Sequence, residues 1–414
     1  MIHYKNKRPF VEDVSLEDIA KTQPTPFYAY SQSKITNTFE ELKSTLKSEI
    51  FYAVKANSNQ AIIKLIANLG AGADVVSAGE LERAIIAGVN PKQIIFEGIG
   101  KSKTDIALAI EKNIRLINIE SIDELERVNA VAIHENKKIN IGIRLNPNID
   151  SQTLDKISTG KKTDKFGIDT DKLNEIFQVL KICKNVNLIG VSCHVGSQIF
   201  NLNVFSEIFK KMKTNAQIFI DNGYDIKHVD LGGGLGVNYL QTQEKVNLQL
   251  IKNELDKYYH DVPYKISFEP GRYLVANAGI LVTSVITIKN NGGINYLITD
   301  AGMNSLIRPA LYQARHEIES VSNDNENIID YTVAGPICES SDIFEKNIKL
   351  PKQEVGNLII IKDTGAYGQV MASNYNSRGL PVEILINKDN FCVIHQPLST
   401  KEFIDRDHIP KWLT

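Results

Sequence analysis

From Phe51 onward, short β-branched or apolar runs alternate with longer segments of helical period. The runs predict eight strands, at 51–56, 74–76, 94–98, 116–119, 141–146, 188–194, 228–233 and 265–270. The spacing between them predicts helices over 59–69, 79–87, 103–111, 121–134, 172–183, 204–221 and 245–259, with one more, 34–46, ahead of the first strand. Unbroken βα alternation requires parallel strands joined by right-handed crossovers, and eight units is the number that closes on itself. The expected frame is an α/β, TIM-like (β/α)8 barrel over residues 31–272, with an open doubly wound sheet as the alternative.

Past Arg272 the texture changes. Val/Ile/Thr-rich runs at 280–288, 294–299, 357–362 and 382–386 are separated by turn signals, of which Asn290-Asn291-Gly292-Gly293 is the plainest. They predict a second, mostly β domain, a sandwich or barrel, built from residues 273–414. Residues 1–30 join it, because Pro24 and Pro26 precede a strand-like 27–30. The polar stretch 147–164 follows the fifth strand and reads as a functional lid or as a surface excursion.

Composition narrows the classes. The 414 residues carry 47 Lys+Arg against 49 Asp+Glu, a formal charge of -2 that gives no global field for nucleic acid or an anionic membrane. A small-molecule partner is expected. Cys183, Cys193, Cys338 and Cys392 form no C-x-x-C pair, which argues against a structural metal and a disulfide framework and for a reducing cytoplasm. The N-terminus has no apolar h-region and no window is long enough to span a membrane, so neither secretion nor membrane insertion is expected.

In a barrel, catalytic groups sit at the C-terminal ends of strands, and unusual residues fall there. Lys55 closes the first run, either as a solvated terminus or as an amine in an apolar pocket ready to form a Schiff base. His194, Gly196 and Ser197 close the sixth, where the ring could be structural or functional. Gly232-Gly233-Gly234-Leu235-Gly236 closes the seventh, a turn or a backbone cradle for a phosphate. It misses the dinucleotide fingerprint, since Tyr239 stands where the third glycine belongs. Glu269-Pro270-Gly271-Arg272 closes the eighth, where an acid could hold a heteroaromatic nitrogen and a guanidinium could take a carboxylate or phosphate. The alternative is a surface ion pair bracing the turn.

Together with 72–80, Lys165-Phe166-Gly167-Ile168, Arg308-Pro309-Ala310-Leu311-Tyr312, the Gly335–Asp342 run containing Cys338-Glu339-Ser340, and Gly365-Ala366-Tyr367-Gly368, these segments occur in the order of a known family. Over nearly its whole length the chain resembles the pyridoxal-phosphate-dependent decarboxylases of the alanine-racemase-like barrel (fold type III), and within them the branch acting on meso-2,6-diaminopimelate. The resemblance implies pyridoxal 5′-phosphate held covalently by Lys55, with His194 against the pyridine face and Glu269 at the ring nitrogen. Asp74, Ser197, Gly233, Gly234, Pro270, Gly271, Arg272 and Tyr367 would complete the cofactor site. Arg272, Arg308, Tyr312, Tyr367 and Glu339 would bind substrate, Glu339 pairing with its distal ammonium. Cys338 would return a proton after carbon dioxide leaves, giving L-lysine, the last step of lysine biosynthesis. Read without the resemblance, Cys338 could instead be a small buried hydrophobe. In this family the Cys-bearing loop reaches the partner's site, so a homodimer with shared sites is implied. Rival readings are decarboxylation of ornithine, arginine or carboxynorspermidine, an amino acid racemase, and a non-enzymatic binding protein. The last is disfavoured because Lys55, His194, Glu269 and Cys338 are all present.

Overall fold

The computed structural model of the chain describes residues 1–151, 159–160, 163–240, 245–321 and 327–413. Half of the lid expected over 147–164, residues 152–158 and 161–162, therefore lies outside the described residues. The chain divides into two compact units: one contains residues 36–238 and the stretch ending at Leu274, the other Met1–Ile35, Tyr239 and the residues from Val275 onward.

In the first unit, Glu49–Ala53, Gly72–Val75, Ile94–Phe96, Leu116–Ile119, Ile139–Asn146, Val186–Ser192, His228–Asp230 and Lys265–Phe268 are the eight barrel strands. Each lies parallel to the next. The eighth returns to the first through Ser267 opposite Glu49 and Phe268 opposite Ile50, so the sheet is closed and the open alternative is excluded. These strands read as continuous apolar runs because both faces are covered. The crossover helices start on polar caps: Asn59, Ser77, Ser102, Ser121, Asn201 and Asn247 each accept a backbone N–H of the first turn. Most strand boundaries differ from the sequence reading by one to three residues, and one difference bears on the site. The first strand ends at Ala53, and Val54–Ala56 is a single 3-10 turn, so Lys55 stands on the turn beyond the strand.

The second unit is mostly β. Phe27–Ser31 runs antiparallel to Gly279–Asn291 and parallel to Val382–Asn387, which makes the N-terminal segment a strand of this domain. Gly279–Asn291 pairs through 281–284 with Leu358–Ile361 and, beyond a bulge after Val285, with Ile294–Thr299 across the Gly292-Gly293 turn. Both glycines take positive φ, as a tight hairpin requires. The core collects Val11, Leu16, Ile19, Phe27, Ile280, Val282, Ile360 and Ile384. Fully burying each large side chain is worth about 1.5–3 kcal/mol before entropy is counted. Ile318–Ser320, Ile328–Ala334, Ile343–Pro351 and Asn390–His395 are strands that the apolar pattern did not predict. They lie at or near sheet edges. Among the described residues no helix is long and apolar enough to cross a membrane.

Candidate active site

The C-terminal rim of the barrel gathers ten of the residues singled out in the sequence. Lys55 Nζ lies 2.8 Å from Asp74 Oδ2, on the second strand and fully buried. The amine therefore meets a carboxylate, which corrects the expectation of a purely apolar pocket. Glu269 is buried rather than braced at the surface, and among the described residues its Oε1 has no hydrogen-bond partner. Burial first, then the charges of Asp230, Asp74 and Glu97, pushes its carboxyl well above the ordinary range, which favours the protonated form. His194 accepts the N–H of Gly233 at Nδ1 (3.1 Å), which puts its own proton on Nε2. Burial, with Arg144 and Lys55 nearby, drives its pKa well down and keeps the ring neutral.

The glycine loop is more committed than its sequence suggests. Gly232 N donates to Asp230 Oδ1 (2.7 Å), Gly233 N to His194, and Gly236 N to Ile199 O (3.1 Å). Among the described residues this leaves the N–H groups of Gly234 and Leu235 for an anion. Gly234 has φ +89°, and a Cβ there would lie 2.4 Å from Gly196 O, so only glycine fits. The facing loop is fastened by Ile199 N to Gly234 O (2.8 Å) and by Gln198, whose amide bonds both the N–H and the carbonyl of Val237. Ser197 Oγ accepts from Arg272 Nε at 3.2 Å. Pro270 O takes the N–H of Ala53 (3.3 Å), which sets the Pro270-Gly271 turn beside the end of the first strand.

Three charged residues at this rim escaped the sequence reading. Arg144, in the fifth strand, reaches Glu120 at 2.9 Å and Glu97 at 3.5 Å, with its guanidinium 5.2 Å from the Phe166 ring centroid. Glu120 also accepts the N–H groups of Gly98 (2.9 Å) and Gly167 (3.1 Å), which explains why the Lys165-Phe166-Gly167-Ile168 segment packs here. Burial raises Glu97 to about 7, against the pull of Arg144. A signal was available: each follows or interrupts an apolar strand, as Lys55 does. Thr159, within the lid stretch, bonds the backbone of Val195 and His194 at 3.1 and 2.7 Å.

The other five predicted residues belong to the β unit. Arg308 is buried, with Nη1 bonded to Tyr239 Oη (3.0 Å) and to the carbonyl of Ala366 (3.4 Å), next to Tyr367, whose φ is +54°. Tyr312 closes the short helix Arg308–Tyr312, which Gln313 ends in a left-handed conformation. Cys338 and Glu339 are exposed on a loop fastened at its base by Asp342. The buried Asp342 carboxylate accepts Met303 N (2.6 Å) and Ile337 N (2.7 Å). A Cβ on Gly335 would come within 2.5 Å of that carboxylate, so the Gly335–Asp342 spacing is a packing requirement.

Chemically, such a rim can take an aldehyde on an amine, an anion on backbone N–H groups, and a heteroaromatic nitrogen on a protonated carboxyl. Such a set of groups suits a barrel enzyme that works through a bound cofactor. Comparison with known proteins gives the same class: the profile described as pyridoxal-dependent decarboxylase, pyridoxal binding domain, matches residues 32–276. The diaminopimelate decarboxylase of Aquifex aeolicus is 36% identical over 396 residues, spanning 95% of this chain and 94% of its own. That of Helicobacter pylori is 40% identical over 384 residues, spanning 92% and 95%. The H. pylori enzyme solved with L-lysine superposes with a TM-score of 0.90 at 39% identity, covering 94% of this chain and 98% of that one. The M. jannaschii enzyme in co-complex with L-lysine gives 0.93 at 36% identity, covering 100% and 99%. This chain belongs to the diaminopimelate decarboxylase family of the pyridoxal-dependent decarboxylases.

Proposed function

We propose that this protein removes one carboxyl group of meso-2,6-diaminopimelate, releasing carbon dioxide and L-lysine, with pyridoxal 5′-phosphate as cofactor. The observation that carries the cofactor is the fit of the rim: a buried carboxyl at Glu269 with an oxygen unmatched by the described residues, beside a glycine loop that a single Cβ would fill. Lys55 would hold the aldehyde carbon and Glu269 the ring nitrogen. The neutral His194 would lie along the ring face, and Gly234, Leu235, Ser197 and Arg272 would take the phosphate. Asp74 would keep Lys55 oriented. When bound, the cofactor supplies the electron sink for the pair left behind by the departing carboxylate.

The remaining work falls to this chain's own residues. Glu269 would present its carboxyl to the ring nitrogen, and the nearby charges of Asp230, Asp74 and Glu97 would favour its protonated form. Arg308 and Tyr312 take the far carboxylate of the substrate and Glu339 its far ammonium, which supports a substrate with an amino acid group at each end. Cys338 returns the proton from Sγ to the carbon that lost carbon dioxide, serving the site of a second copy in a homodimer.

Two expectations follow. Protein loaded with pyridoxal phosphate should convert meso-diaminopimelate to L-lysine, seen by chiral amino acid analysis; epimerised diaminopimelate with both carboxylates intact would instead mark a racemase. Gly234→Ala should weaken pyridoxal phosphate binding by about tenfold or more, the cost of losing at least one charge-assisted hydrogen bond, as measured by fluorescence titration.

A further inference from the structure

The loop that carries Cys338 and Glu339 is fastened at its tip as well as its base. The hydroxyl of Tyr375 donates to Glu339 Oε1 at 2.6 Å, and the N–H of Cys338 donates to Asn376 Oδ1 at 3.1 Å. Two adjacent residues of one turn thus hold two adjacent residues of another, 36 and 38 positions away in the chain. The turn is built to stay in place. Asn376 and Ser377 have φ of +57° and +55°, Asn374 Nδ2 donates to Arg378 O at 3.0 Å, and Ser373 N to Asn304 O at 2.9 Å. Non-glycine residues in the left-handed region persist only where their surroundings fix them, and asparagine tolerates it best.

We infer that Tyr375 and Asn376 are positioning residues for the decarboxylation: Tyr375 orients the Glu339 carboxylate toward the substrate's distal ammonium, and Asn376 sets the backbone from which the Cys338 thiol delivers its proton. The inference rests on the roles given to Glu339 and Cys338 under the proposed function. With Oε1 bonded to the tyrosine, Glu339 presents Oε2 in a fixed direction instead of rotating freely on an exposed loop. Losing that orientation is expected to cost up to about tenfold in affinity for the distal ammonium. Burial does not account for either contact, since Tyr375, Cys338 and Glu339 are all exposed.

The test compares Tyr375→Phe, Asn376→Gly, Asn376→Asp and Glu339→Gln in the holoenzyme. Asn376→Gly removes the acceptor while keeping the left-handed backbone accessible, and Asn376→Asp restores an acceptor. Tyr375→Phe is expected to raise KM for meso-diaminopimelate about tenfold with a smaller change in kcat. It should add little when placed on the Glu339→Gln background. Asn376→Gly is expected to lower kcat with KM nearly unchanged, and Asn376→Asp to recover it, with cofactor absorbance and thermal midpoint preserved throughout. If Glu339→Gln raises KM while Tyr375→Phe does not, the clasp is refuted and the role of Glu339 stands. If both single-site variants change kcat and KM together and lower the thermal midpoint, their role is only structural. A Glu339→Gln protein with unchanged KM would overturn the role of Glu339 and, with it, the inference.

Discussion

Lys55→Ala is expected to abolish the visible absorbance of lysine-bound pyridoxal phosphate and to lower turnover by at least about 10³-fold. The argument is geometric. Lys55 stands on a one-turn 3-10 segment at the C-terminal end of the first barrel strand, and its ammonium is held 2.8 Å from the fully buried Asp74. Among the residues assigned to the cofactor it is the one primary amine, so no neighbour in that set can take over the carbonyl. Protein that kept both the absorbance and full turnover would refute the assignment. The same variant probes the shared-site dimer. Chains carrying Lys55→Ala, mixed and reassociated with chains carrying Cys338→Ala, should regain part of the turnover, because each mixed dimer can assemble one intact site. No recovery from mixed dimers would mean that Lys55 and Cys338 of one site come from one chain.

Glu269→Gln should act in opposite directions on activity and on stability. The amide keeps the shape of the protonated carboxyl but has no acid proton to offer a ring nitrogen, so kcat is expected to fall by about 10²-fold or more. The stability effect follows from the direction of the pKa shift. A carboxyl raised well above 4.5 by burial and by Asp230, Asp74 and Glu97 binds more protons in the folded than in the unfolded chain. Its contribution is complete below the unfolded pKa and is lost as pH rises toward the folded one. Glutamine is neutral throughout, so cofactor-free Glu269→Gln protein should match the parent only in buffer acidic enough to protonate an unfolded carboxylate, and exceed its thermal midpoint increasingly as pH rises from there toward mildly alkaline buffer. A variant that is less stable at every pH would show that the carboxyl is ionised and paired in the folded state.

The barrel was legible because closure buries every strand on both faces, leaving apolar runs that alternate with capped amphipathic helices. Lys55, His194 and Glu269 were legible for a related reason: a charge or an ionisable ring at the end of a buried run is anomalous. Arg144 is just as anomalous inside Ile139–Asn146, and Glu97 and Glu120 follow the third and fourth strands directly. They pair mainly with one another and with backbone, contacts that a linear reading does not reveal. The glycine loop read as either a turn or a cradle, and the fold uses three of its N–H groups for Asp230, His194 and Ile199. In the β domain, Ile343–Pro351 alternates with charged, outward-facing positions and gave no apolar run to detect. The contacts of Tyr375 and Asn376 with the Cys338-Glu339 loop depend on two distant turns meeting, which only the folded chain shows.

The central claim is tested most directly by carbon dioxide release from the purified, pyridoxal-phosphate-loaded protein, with meso-diaminopimelate, ornithine, arginine, lysine and carboxynorspermidine compared under one set of conditions. Turnover confined to meso-diaminopimelate is the predicted result. Preferential release from ornithine, arginine or carboxynorspermidine, or no release from any of the five, would contradict it.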